Sequence, residues 1–243
     1  MAAPLPDFLG LGTQKGGTTT LHRLMGQHPD VYVPACKEVH FFDKNYSAGE
    51  DWYREHFQGA QTTQCCGEIT PFYLFHPDVP GRIYQLIPKA RLIVLLRDPV
   101  ERAISQVFHA QRLGFEPLPV DEALAAEQNR LATGDPYSFQ KHSYLSRSLY
   151  LEQLDRYEAL FPSEQLLILR SEDLFNTPER VWQELLNFLQ LKPIKWPGAL
   201  PRANAGDGLS ASINPALRNQ LRHSLAETVA GVRSRYGIEW QWS

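Results

Sequence analysis

Phe8-Leu9-Gly10-Leu11-Gly12 runs straight into Thr13-Gln14-Lys15-Gly16-Gly17-Thr18, and apolar residues then recur at Leu21, Leu24 and Met25. The first segment reads as a short buried strand, the second as a loop, and the third as a helix that stops before Pro29. A strand, a glycine-containing loop and a helix in that order open a phosphate-binding α/β unit. The amides of the loop and of the helix start can converge on one anion. This constrains the rest of the chain to supply further strands beside the first.

The chain does so. Leu92-Ile93-Val94-Leu95-Leu96 lacks polar alternation, as a strand buried on both faces of a parallel sheet does. Asp98 is placed to cap the next helix, Pro99 fits its first position, and Glu101 completes a capping-box-like pattern. Leu166–Leu169 reads as a third strand, after a helix carrying Leu145, Leu149, Leu154, Tyr157 and Phe161. Thr177-Pro178 opens a helix through Leu189, and Asn214-Pro215 opens a last one through Tyr236. The predicted fold class is α/β, a three-layer P-loop-type fold with a central parallel sheet flanked by helices. Residues 1–243 are expected to form a single domain. Residues 113–142, with a helix near Val120–Leu131, read as an insertion on the acceptor side, and 192–212 as a long surface loop.

Composition narrows the function classes. With 43 % apolar and 21 % charged residues the chain matches an ordinary globular protein. A net charge of −3 offers no global attraction to nucleic acid or to an acidic membrane. Cys36, Cys65 and Cys66 cannot pair fully and show no zinc-ligand spacing, so no metal is expected. The N-terminus lacks signal-peptide character, and the longest strongly apolar run is too short to span a bilayer. The expectation is a soluble protein of a reducing compartment, the cytoplasm, without nucleic-acid or membrane partners.

The Gly12-x-x-x-x-Gly17 spacing matches the start of a Walker A loop, but Thr18 and Thr19 stand where Lys and Ser/Thr should follow. The loop's lysine is Lys15, inside the turn. The second strand ends in Arg97-Asp98, without a clear carboxylate placed for magnesium. An oxyanion can still be cradled by the amides of Gly16, Gly17 and Thr18, whereas nucleoside triphosphate hydrolysis is disfavoured.

Gly12-Thr13-Gln14-Lys15-Gly16-Gly17-Thr18-Thr19-Thr20-Leu21 resembles the 5′-phosphosulfate loop of sulfotransferases that use 3′-phosphoadenosine 5′-phosphosulfate (PAPS). Leu95-Leu96-Arg97-Asp98-Pro99-Val100-Glu101-Arg102-Ala103-Ile104-Ser105 resembles their 3′-phosphate motif. Lys37-Glu38-Val39-His40-Phe41-Phe42-Asp43 and Gly67-Glu68-Ile69-Thr70-Pro71-Phe72-Tyr73 are similar to segments of the heparan sulfate (N-/3-O-) branch. The resemblance implies sulfuryl transfer from PAPS to a hydroxyl or amine, with adenosine 3′,5′-bisphosphate (PAP) as the other product. A carbohydrate acceptor leads; a lipid, a small phenol or a peptide tyrosine remain alternatives.

The chemistry then assigns roles. Lys15 neutralises charge on the bridging oxygen as the sulfuryl group leaves, and Thr18, Thr19 and Thr20 offer hydroxyl and amide donors. Arg97, with its planar fork, and Ser105 on the next helix suit the 3′-phosphate. Glu38 is the expected general base by resemblance, with His40 and Asp43 in support and Glu68 as a rival base. Phe41 and Phe42 are expected in the core. Ile69 stands where the heparan branch often has a lysine, and only Arg202 offers a charge where the family closes a loop over the nucleotide. These departures weaken the likeness to heparan-type substrate recognition, while the lack of the membrane anchor and of the disulfide near that loop found in animal members points to a soluble bacterial relative. Trp240 and Trp242 read as core caps, and Arg147, Glu152, Asp155, Arg156 and Glu158 as a solvated helix face. Two rival functions remain: a small-metabolite kinase on the same scaffold, and a non-catalytic nucleotide-binding protein.

Overall fold

The structure, a computed structural model, describes residues 3–198, 200 and 213–242. Chain order is β1 (Phe8–Gly12), α1 (Thr18–Met25), β2 (Val31–Tyr32), α2 (Gly49–Glu55), β3 (Cys65–Ile69), α3 (Val79–Leu86), β4 (Arg91–Leu96) and α4 (Pro99–Arg112). It continues through α5 (Val120–Ala132), α6 (Pro136–Lys141), α7 (Tyr150–Glu158), β5 (Leu166–Arg170), α8 (Ser171–Asn176), α9 (Pro178–Leu189), α10 (Pro215–Ser224) and α11 (Ala226–Tyr236). The described residues fall into two compact units. Those within Met1–Leu96 and Gln153–Ala203 form one; those within Arg97–Glu152 and Asn204–Ser243 form the other.

The first unit holds the sheet, in the order β2-β3-β1-β4-β5 with every pair parallel. Parallel pairing puts all the strand carboxyl ends, and so the loops after β1 and β3, at one edge. Phe8, Ile69, Ile93, Leu95 and Leu169 share a core with Leu21, Leu24 and Met25 of α1 and Val181, Trp182, Leu185 and Leu186 of α9. The alternate residues Leu9, Leu11, Leu92, Val94 and Leu96 point to the opposite face and are equally buried. A sheet covered on both faces explains the unbroken apolar run of β4. The three strands and the parallel α/β class expected from sequence are present. β2 and α8 add to them.

The second unit packs α4 and α5 around Val100, Ala103, Ile104, Val107, Ala123 and Leu124, with Tyr144, Leu221 and Leu225 closing its core. Asp98 caps α4 as expected, its Oδ1 accepting from the amides of Val100 (2.9 Å) and Glu101 (3.0 Å).

Several expectations need correction. Glu101 does not reach back in a capping box, because Arg218 of α10 draws it into an ion pair. The last helix is two, since Leu225 leaves helical geometry (φ −107°, ψ 6°) while staying buried beside Leu221. The helix through Leu145 starts only at Tyr150, after a 3₁₀ turn at Ser146–Ser148. That turn swings Arg147 inward rather than onto a solvated face. It is 5 % exposed and donates to Ser143 Oγ (2.7 Å) and Gln140 O (2.6 Å). Burial, with Arg102 nearby, lowers its pKa to about 9. Glu152, Asp155 and Glu158 are exposed as expected. Within 192–212, Ile194 and Trp196 pack against the core of the first unit, while Arg202 and 201–212 lie outside the described residues.

Gly67 faces Phe8 across the β3–β1 pair, and a Cβ there would meet the Phe8 ring at 2.3 Å. Gly67→Ala is therefore expected to cost about 1–3 kcal/mol of stability through overpacking. Urea unfolding should show a lower midpoint with an unchanged slope.

Candidate active site

The β1–α1 loop is knitted into the sheet edge. Thr13 donates twice to Leu95 O of β4, from its amide (2.7 Å) and from Oγ1 (3.1 Å). Gly16 N donates to Thr13 O (2.9 Å), and Ser171 Oγ, at the start of α8, donates to Gly16 O (2.8 Å). A Cβ on Gly16 would stand 2.6 Å from Thr13 Oγ1 and 2.9 Å from Leu95 O, so only glycine fits. Gly17, at φ +88°, turns the chain into α1. Lys15 takes a left-handed conformation (φ 70°) and is half-buried. The first turn of α1 holds no acidic residue, so nothing there offsets the positive end of the helix. Thr20 Oγ1 is buried with no hydrogen-bond partner among the described residues. The hydroxyls, glycines and lysine of this loop are thus chemically suited to an oxyanion.

The same unit carries the segment after β2. Glu38 and His40 are both left-handed (φ 64° and 57°), which turns their side chains to one another and to Asp43. His40 Nδ1 donates to Asp43 Oδ2 at 2.6 Å, and Nε2 stands 3.5 Å from Glu38 Oε2. Lys37 forms an ion pair with Glu38, and Lys44 Nζ lies 3.3 Å from His40 Nε2. Burial alone would raise the Glu38 pKa; the hydrogen bond to His40 and the charge of Lys37 outweigh it and bring it down to about 2. Burial likewise opposes charge on His40, but its bonds to Asp43 and Glu38 prevail and raise its pKa. Phe41 and Phe42 are core residues, as expected. Phe41 stacks on Tyr53 with centroids 4.2 Å apart.

Glu68 sits on β3, 1 % exposed. Its carboxylate accepts from Tyr53 Oη (3.0 Å), Thr70 Oγ1 (2.6 Å) and Tyr73 Oη (2.7 Å). Burial raises its pKa against the pull of those three hydroxyls. Thr70 Oγ1 in turn accepts from His40 N at 3.5 Å. Glu68 is thus committed to holding the floor of the segment that carries Glu38 and His40.

In the second unit, Arg97 follows directly on β4 and Ser105 lies on α4; both are half-buried. Tyr150 Oη donates to Arg97 O at 2.8 Å.

A family model described as a sulfotransferase domain matches residues 5–196. The chain belongs to the sulfotransferase family.

Among curated relatives, the family resemblance includes the membrane-associated sulfotransferase kil1 of Dictyostelium discoideum, 28 % identical over 90 % of this chain and 64 % of that protein. The human heparan sulfate glucosamine 3-O-sulfotransferase 3B1 is 35 % identical over 78 % of this chain and 47 % of that protein. The chain therefore spans about half to two thirds of the length of these relatives. A solved sulfotransferase from Alicyclobacillus acidocaldarius superposes with a TM-score of 0.82 at 29 % identity, covering 98 % of both chains. Among the described residues no helix is long and apolar enough to cross a membrane.

Of the residues singled out from sequence, the sulfotransferase chain brings Lys15, Gly16, Gly17, Thr18, Thr19 and Thr20 together on one loop and helix start, and Glu38, His40 and Asp43 into one cluster. Lys37 was not foreseen as the partner of Glu38, although its adjacency was the available signal. Ser171 had no signal, since 155 residues separate it from the glycine it holds.

Lys37→Met should raise the Glu38 pKa from about 2 toward the ordinary glutamate range, because it removes the charge and the donor that favour the carboxylate. A carbon-13 NMR titration of the Glu38 carboxyl measures this directly. The native group titrates below its unfolded value. Its contribution to stability is therefore present above the ordinary glutamate range and fades as pH falls toward 2. The variant should lose part of that contribution.

Proposed function

We propose that the protein moves the sulfuryl group of PAPS to a hydroxyl or amine of a carbohydrate acceptor. The observation that carries this reading is the Lys15 loop, in which a lysine inside the turn replaces the Walker lysine after Gly17. A lysine so placed suits a leaving group whose charge develops on one bridging oxygen. The carbohydrate acceptor is supported by the relatives named as heparan sulfate glucosamine 3-O-sulfotransferases, 32–35 % identical.

In this reading Lys15, the amides of Gly16, Gly17 and Thr18, and the hydroxyls of Thr18, Thr19 and Thr20 hold the 5′-phosphosulfate. Arg97 and Ser105 hold the 3′-phosphate, with Arg202 as a further candidate. The acceptor atom attacks sulfur in line, the new bond to sulfur forms as the bond to the 5′-phosphate oxygen breaks, and PAP leaves. Glu38 takes the acceptor's proton, with His40 and Asp43 orienting it. Glu38 is favoured over Glu68 by exposure. Its side chain is 35 % exposed, whereas that of Glu68 is sealed by three hydroxyl donors.

Calorimetry should show tight PAP binding that is weakened by Lys15→Ala and Arg97→Ala and unmatched by ATP with magnesium. A preference for ATP-magnesium would return the chain to the kinase reading. With labelled PAPS and a glucosamine-containing oligosaccharide, Glu38→Gln should cut turnover by about 10²–10⁴-fold and leave PAP affinity unchanged. A wild-type protein that binds PAP but turns over no acceptor would be a nucleotide binder only.

A further inference from the structure

We propose that Trp242 and Tyr150 are positioning residues that hold the Arg97–Asp98 peptide from two sides, and so aim the Arg97 guanidinium at the 3′-phosphate of the nucleotide. The proposal rests on the reading of Arg97 as the 3′-phosphate ligand. Every contact it uses lies within the second unit.

Arg97 occupies the junction between β4 and α4, where neither a strand ladder nor a helix fixes the main chain. A long side chain at such a point goes where its backbone sends it. A small rotation at residues 97 and 98 is magnified at the guanidinium. The structure restrains that junction specifically. On one side Tyr150 Oη, on a fully buried ring, donates to Arg97 O at 2.8 Å. On the other, Asp98 divides its two oxygens. Oδ1 accepts from the first amides of α4, and Oδ2 accepts from Trp242 Nε1 at 2.7 Å.

The two donors also belong to one packed arrangement. Trp240, two residues before Trp242, lies against the Tyr150 ring with centroids 6.3 Å apart. Trp240 and Ile238 are buried at 9 % and 8 % exposure, and Trp242 packs on the core of the unit. The Arg218–Glu101 ion pair adds a tie from α10 to the first turn of α4. Filling a core would need only the indole ring. The N–H directed at the carboxylate next to Arg97 is what a core cap does not require, and a bond to a charged acceptor is the stronger kind.

The test compares nucleotides that differ only in the 3′-phosphate, PAP and adenosine 5′-monophosphate. Each is titrated by calorimetry into wild type, Trp242→Phe, Tyr150→Phe and Arg97→Ala. Trp242→Phe keeps a packed ring and loses the donor; Tyr150→Phe keeps its ring and loses the hydroxyl. Thermal melting establishes that each variant is folded. In both ring-conserving variants PAP affinity should fall by about five- to tenfold, the scale of one lost hydrogen bond, while affinity for the monophosphate stays put. An unchanged ratio of the two affinities, or an equal loss for both nucleotides, overturns the proposal. The underlying reading is judged separately: if wild type does not prefer PAP, or Arg97→Ala keeps that preference, Arg97 is not the 3′-phosphate ligand.

Discussion

The carbonyl of Leu95, one residue before the end of β4, anchors the loop between β1 and α1 in the first unit. Thr13 reaches it with both an amide and a hydroxyl, and Gly16 lies so close to it that a methyl group would collide. Through Thr13 O and Gly16 O the loop is bound to itself and to Ser171, so β1, β4 and the start of α8 share one hydrogen-bond system. Two loop carbonyls are thereby occupied by donors, which removes lone pairs that would repel an oxyanion. The loop is shaped by the sheet edge.

The Glu38 cluster adds a balance of charges to this frame. Two carboxylates, an imidazole and two lysines lie within a short stretch of irregular chain, and each offsets another. A carboxylate titrating near 2 is a weak base, so in the proposed reaction it accepts a proton only as its cationic partners are drawn off. Beneath it, Glu68 trades water for three hydroxyl donors and keeps Thr70 beside the His40 amide. The two glutamates do different work: one remains partly exposed, the other is built into the floor.

Much of this was legible in the sequence, for reasons that differ by element. β1 and β4 show themselves because strands buried on both faces cannot carry polar residues, and the half-buried edge strand β5 shows as a short apolar run. α4 and α9 show themselves because Pro at the first position and Asp98 as a cap are local signals. The Lys15 loop follows from its glycines. What stayed hidden depended on tertiary partners. Glu101 was taken from its capping role by Arg218, Arg147 was turned inward by a 3₁₀ turn, and Leu225 broke a helix in order to stay in the core. The gathering of Glu38, His40 and Asp43 came from resemblance, since residue spacing in an irregular segment does not fix geometry. The left-handed backbone at Glu38 and His40 is what closes them together.

Lys15, Glu38 and His40 are three of the four non-glycine residues with left-handed backbone among those described, the other being Gln190 at the end of α9. For such residues that conformation costs about 1–2 kcal/mol each relative to the right-handed form, and glycine would adopt it freely. Selection for heat resistance alone would therefore press toward glycine at the very positions where the proposed chemistry uses a side chain. The protein holds a stability reserve it does not collect, and a screen for thermally hardened variants would be expected to drain its activity first at these three residues.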